Sequence, residues 1–205
     1  MAVNLVKGQK VDLRKSDGGT LRNVMIGLGW DAAENAGSGG GMLGGLLGGR
    51  KRTKNIDCDA SVFVCRNGHL ISNDDIVYFG NLAHSSGAVR HMGDNLTGEG
   101  EGDDEEIFVD LAKLPADCDK VIFVVNIYKA KERSQHFGMI RNAFIRICDN
   151  DNRTELCRYN LSDSYDGMTA MVFGEIYRHN GQWKFNAVGQ ATADNSISEL
   201  ARRFI

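Results

Sequence analysis

The sequence predicts an all-β protein, a two-sheet antiparallel β-sandwich with a few short helices. Three observations carry this. Apolar residues alternate with period two along almost the whole chain, in segments rich in Val, Ile, Phe and Tyr. Two asparagine-glycine pairs, Asn67-Gly68 and Asn180-Gly181, stand between strand-like runs, as tight hairpins require. Helical periodicity is confined to two short stretches, so the many short strands must pack on one another.

In chain order, the N-terminal candidates are Val3–Val6 and Val11–Arg14, short alternating runs separated by Lys7 and Gly8. Asn23–Trp30 and Cys58–Cys65 are longer strand candidates. Ile76–Phe79, Ala88–Met92 and Ile107–Leu111 are brief and bounded by turn residues. Val121–Tyr128, Asn142–Cys148 and Leu156–Leu161 follow, with Asp149-Asn150-Asp151-Asn152 reading as the hairpin turn between the last two. Met171–Arg178 and Trp183–Gly189 flank Asn180-Gly181 and form the clearest hairpin. The helical stretches are Lys129–His136 and Ser196–Phe204.

Residues 37–49 break the pattern, with eight glycines in thirteen positions. The G-x-G-x-x-G at Gly39, Gly41 and Gly44 has no strand before it and no βαβ unit after it, so it carries no dinucleotide-binding signal. Residues 37–54 are expected to be a flexible insert in a single domain spanning 1–205, with Met42, Leu43, Leu46 and Leu47 available to a partner or membrane surface. A formal charge of −3 implies no general attraction to nucleic acid. Lys7, Lys10 and Asp12 interrupt any apolar start, and no apolar run is long enough to span a bilayer, so a cytoplasmic protein is expected, possible peripheral contact with a membrane aside. Five cysteines without a C-x-x-C argue against a disulfide framework and a zinc site, and Cys65 and Cys148 read as small core residues. Scattered histidines and the lack of G-x-S-x-G leave catalysis without a local signature.

The candidate site is acidic. Between Asp94 and Asp110 stand eight acidic residues and no lysine or arginine. The centre, GDNLTGEGEGDDE at 93–105, joins mutually repelling carboxylates to glycines that cost conformational entropy on ordering. Since it leads directly into the strand beginning at Ile107, it is read as a cation-binding loop of the fold rather than a solvated tail. It is not an EF-hand, whose third, fifth and sixth loop positions would fall on Leu96, Gly98 and Glu99. Asp57 and Asp59, two apart at a strand entry, point to one side and can reach one ion. Asp31 and Asp75 are strand-end acids with weaker claims.

These residues resemble the TerD-like tellurium-resistance family of bacterial stress proteins. The resemblance runs through VMIGLGWD (24–31), DCDAS (57–61), GAVRHMGDNLTGEGEGDDE (87–105), DKVIFVVNIY (119–128) and TAMVFGEIYRHNGQWKFNAVGQ (169–190). It implies a β-sandwich that binds calcium, often two ions, through loops at one end, and a non-enzymatic role in resistance to tellurite and other stresses. Carried onto this chain, the calcium pattern falls on Asp57, Asp59, Asp94, Asn95, Asp103, Asp104 and Glu105. Glu101 joins this set at a position where the family varies, as does Glu99, so a backbone carbonyl is the expected contribution of each. The expected partner is a protein of a stress-resistance complex or a membrane surface, met by calcium-ordered loops. The alternative is a calcium-dependent enzyme, or a binder of an oxyanion such as tellurite at an open coordination position.

Overall fold

The computed structural model describes residues 2–15, 17–32, 56–93, 102–161 and 163–205. Twelve strands are formed among them: β1 (Val3–Leu5), β2 (Lys10–Asp12), β3 (Asn23–Ala32), β4 (Cys58–Arg66), β5 (Ile76–Val77), β6 (Val89–His91), β7 (Glu105–Asp110), β8 (Cys118–Ile127), β9 (Ile140–Asp149), β10 (Glu155–Asn160), β11 (Ala170–His179) and β12 (Gln182–Thr192). Sheet A runs β1-β10-β9-β3-β7-β6 and sheet B runs β2-β12-β11-β8-β4-β5. Each strand lies where the alternation predicts one. Pairing is antiparallel apart from β1, which lies parallel to β10 at the edge of sheet A. That edge is a departure from the all-antiparallel expectation.

The side-chain period explains the layers. On β4, Cys58, Ala60, Val62 and Val64 face the inter-sheet core, as do Val121, Phe123, Val125 and Ile127 of β8. The alternate residues Phe63, Cys65, Ile122 and Val124 face outward and are still buried, because a C-terminal cover lies over them. The cover is helix α2 (Ile197–Ala201) with the following 3-10 turn Arg202–Phe204; Leu200 and Ala201 pack on the sheet, and Phe204 meets Phe63 edge-on at 5.6 Å. This is why Val62–Cys65 is apolar at every position.

Two short elements differ from expectation. The stretch 129–136 yields a single helical turn, α1 (Ala130–Arg133), bounded by left-handed Lys129 and Ser134. Asn67-Gly68 makes the expected tight turn, with φ of 53° and 78°, but His69 answers Arg66 only as an isolated bridge and no second strand follows. Asn180-Gly181 does join two full strands, with His179 opposite Gln182. The five cysteines are buried and unbridged. Burial pushes the Cys65 and Cys157 thiols up to about 12 and Cys118 up to about 11, so none of these is a nucleophilic thiolate at neutral pH.

Candidate metal centre

The acidic residues gather at the end of the sandwich where β4 and β7 begin. Glu105 is the first residue of β7 and takes the inward register shared with Ile107 and Val109, leaving it 2 % exposed. A carboxylate in a core position requires partners. Its Oε2 accepts from the Ala60 amide at 2.8 Å and lies 3.2 Å from Nε2 of His91 on the adjacent strand β6. His91 Nδ1 accepts from the Gly93 amide at 3.1 Å, so in the neutral ring Nε2 carries the proton and donates to Glu105. The histidine thereby links the buried carboxylate to Gly93, the residue before the acidic segment.

Asp104 precedes Glu105. Its amide donates to the Leu28 carbonyl, and its Oδ2 accepts from the Trp30 amide at 2.7 Å, next to the register shift between Gly29 and Asp31 in the β3–β9 ladder. Burial raises the Asp104 pKa, and the charges of Asp31 and Asp103 raise it further. Asp31 itself accepts from Asn142 Nδ2 at 2.7 Å, so it does lie at this end of the fold.

Asp103 turns the other way. Its two oxygens take a forked pair from Arg146, Nε–Oδ1 at 2.8 Å and Nη2–Oδ2 at 2.9 Å, and Arg146 also reaches Glu155 at 3.2 Å. The Asp103 side chain is only 3 % exposed and rests on Gly27, where a Cβ would collide with its carboxylate. Gly29 performs the same service for the Gly102 carbonyl. Gly93, bonded to His91, and Gly102, whose carbonyl lies against Gly29, therefore both stand at the acidic end.

Asp57 and Asp59 do share a side, the outer face of sheet B. Asp57 pairs with Arg133 of α1 at 3.2 Å, and Asp59, 6 % exposed, stands opposite Asn126 of β8. Between them, Cys58 faces inward. Its thiol is pushed well up by burial, then by the charges of Glu105, Asp59, Asp57 and Asp104. The predicted ligands Asp94, Asn95 and Glu101 lie outside the described residues. Among the described residues, no three His, Cys, Asp or Glu side chains form a metal cage on their own. The donor set, all carboxylate oxygen, is chemically suited to a hard cation such as calcium.

Arg133, Arg146 and His91 are the residues sequence reasoning missed. Arg133 and Arg146 carry no local motif, since each meets its acid across more than forty positions of sequence. The His91 signal was its inward register in Val89–His91, which matches that of Glu105.

Three comparisons bear on this arrangement. The TerD domain family model matches residues 1–204. The stress response protein SCP2 of Bacillus subtilis (strain 168) is 49 % identical over 205 residues, covering 100 % of both chains. The tellurium resistance protein TerD of Serratia marcescens is 43 % identical over 203 residues, covering 98 % of this chain and 97 % of that one. The crystal structure of a homologue of telluride resistance protein from Streptomyces coelicolor A3(2) superposes with a TM-score of 0.61 over 87 % of this chain and 95 % of its own, at 20 % identity, a likeness of fold.

Proposed function

The chain belongs to the TerD domain family, and from that premise we propose that it is a calcium-binding, non-enzymatic stress-response protein that contributes to tellurium resistance. The observation that supports this is the concentration of like charge at one end of the sandwich: Asp57 and Asp59 stand at the entry of β4, and Asp103, Asp104 and Glu105 at the entry of β7, where Glu105 bonds the Ala60 amide of β4, and burial first, then the charges of Asp31 and Asp103, raise the Asp104 pKa. Such a cluster is costly without a cation. In this reading Asp57, Asp59, Asp104 and Glu105 hold calcium together with Asp94, Asn95 and Glu101, as two ions. Asp103, engaged by Arg146, sets the start of β7 and joins the set only by exchanging that partner. Calcium supplies the positive charge; the chain supplies anchors, with His91 orienting Glu105. Neutralised and ordered, this end presents a surface to a protein partner or an anionic membrane from the cytoplasmic side. No described helix is long and apolar enough to cross a membrane.

The oxyanion alternative calls for a recessed polar pocket beside the acids. A recess does lie beside Asp59, with Tyr78, Phe79, Tyr128, Lys129 and Lys131 in its lining, and there the carboxylates of Asp59 and Glu132 oppose an oxyanion while the two lysines favour one. Thermal melts with chelator, millimolar calcium and millimolar magnesium test the main reading. A ligand bound only to the native state adds about 2.7 kcal/mol at a hundred times its dissociation constant. Calcium is expected to raise the midpoint strongly and magnesium weakly, because an irregular carboxylate site suits calcium's variable geometry. An unchanged midpoint in calcium overturns the proposal.

A further inference from the structure

The end of the sandwich that carries the acids is also where large apolar side chains reach solvent. Of the nine exposed large apolar residues among the described residues, five stand there: Phe79, Leu82, Met92, Tyr128 and Met139, between 37 % and 52 % exposed. The backbone fixes each beside an acid or its anchor. The Met92 amide donates to the Glu106 carbonyl near the start of β7, and the Leu82 carbonyl accepts from the amide of His91, whose ring meets Glu105. The Tyr128 amide donates to the Asp57 carbonyl at 2.7 Å, and Phe79 lines the recess it shares with Tyr128 and Asp59. Met139 precedes Ile140, which pairs with Ala32 one residue beyond Asp31.

Apolar side chains exposed singly are ordinary; several gathered at one end of a fold mark an interaction surface. These five come from four separate segments and adjoin both sheets, so they form points beside the acids rather than the wall of one groove. A protein interface is built on a continuous packed centre. A bilayer boundary takes up separate apolar side chains one by one.

The flanking charges select the lipid. Helix α1 and the residue before it carry Lys129, Lys131 and Arg133 against Glu132. Arg133 is engaged by Asp57, while Lys129 and Lys131 are exposed and Lys129 meets Glu132 only at 3.8 Å. The Lys129 ammonium stands 5.4 Å and the Arg133 guanidinium 5.0 Å from the centre of the Tyr128 ring. A tyrosine set among cations suits the headgroup level, its ring toward the acyl chains and the ammonium groups toward phosphate. The carboxylates repel the same anionic surface until calcium cancels them, so this docking rests on the calcium reading above.

We propose that this end docks on an anionic lipid bilayer when calcium is bound, with Phe79, Leu82, Met92, Tyr128 and Met139 in the headgroup boundary and Lys129 and Lys131 on lipid phosphates. Cosedimentation of the full chain with phosphatidylcholine vesicles, with and without phosphatidylserine, in calcium and in chelator, tests it. Binding is expected on the phosphatidylserine vesicles in calcium, and about tenfold weaker or more on phosphatidylcholine alone or in chelator. Lys131→Ala is expected to weaken it about fivefold, the effect of one basic residue at an anionic surface. Phe79→Ala and Met92→Ala are each expected to weaken it severalfold and, at exposed positions, to melt with the parent. The calcium melts separate the two possible failures. A midpoint unchanged by calcium overturns both readings, whereas a raised midpoint without vesicle binding overturns the docking alone and leaves the surface to a protein partner. Vesicle binding that is equal in chelator, or indifferent to all three substitutions, also overturns the docking.

Discussion

Asp103 and Glu105 stand two positions apart and would share a face if the chain were extended, yet one is drawn to the outside of sheet A and the other into the core register. The chain bends at Gly102, whose φ is 117°, and again at Asp104, between the two acids, and the forked pair with Arg146 holds Asp103 outside. Removing one partner of a largely buried pair leaves the other charge uncompensated. Asp103→Ala is therefore expected to cost about 2–3 kcal/mol in a chemical melt with chelator present, below the full cost of a buried pair because Arg146 keeps Glu155. If parent and variant melt alike in chelator, the pair contributes nothing and Asp103 is available to an ion. Asp104 is expected to behave in the opposite sense. An acid whose native pKa is raised holds its proton more tightly folded than unfolded. Its penalty is then present above the native value and vanishes as pH falls below the unfolded value of about 3.9. Asp104→Asn keeps an oxygen for the Trp30 amide and removes the like charge. It should raise stability in chelator at neutral pH while lowering calcium affinity about tenfold, or ~1.4 kcal/mol. Paired melts and titrations read both; a variant that is less stable in chelator contradicts the electrostatic account.

At the scale of elements, α2 shows how packing rather than propensity makes a helix. Five residues cannot sustain a helix in water. Ser196 caps it by accepting from the Glu199 amide at 3.2 Å, and Leu200, fully buried, ties it to the outer face of sheet B. Leu200→Ala is expected to cost about 2–5 kcal/mol, since both the transfer term and a cavity beside Phe63 are lost. A loss under 1 kcal/mol in urea would mean that α2 lies loosely on the sheet. The glycine-rich insert at 37–54 lies outside the described residues, and its reading rests on composition. Replacing residues 37–49 by a short Gly-Ser linker is expected to change stability by only about 0.6 kcal/mol, the entropy of halving a flexible loop. A loss of several kcal/mol would show that the segment packs into the core. The Asn180-Gly181 hairpin was legible because both residues must adopt positive φ, a demand visible in the residue types. The shortness of α1 was not, because left-handed Lys129 and Ser134 bound it and neither residue type announces that conformation.

For the whole molecule, the calcium reading divides the acids into anchors and bystanders. Glu106 faces outward and meets Arg153 at 3.3 Å in an exposed pair of little energetic consequence. Glu106→Ala is expected to leave calcium affinity within about twofold of the parent, ~0.4 kcal/mol. Titration showing a loss as large as that of Asp57→Ala would reassign the ligands. The sequence by itself determined the strands, the class of fold and the existence of an acidic site, because alternation, turn chemistry and a block of carboxylates are local properties of a chain. Only the tertiary structure decided which acids meet which cations. It turned Asp103 to Arg146, Asp57 to Arg133 and Glu105 to His91, and set Asn126 opposite Asp59. Those pairings join positions far apart in the chain or depend on a bend that no local pattern records. The physical reason is that hydrogen bonds and ion pairs act over a few ångströms of space, and strand register alone determines which side chains come within that distance.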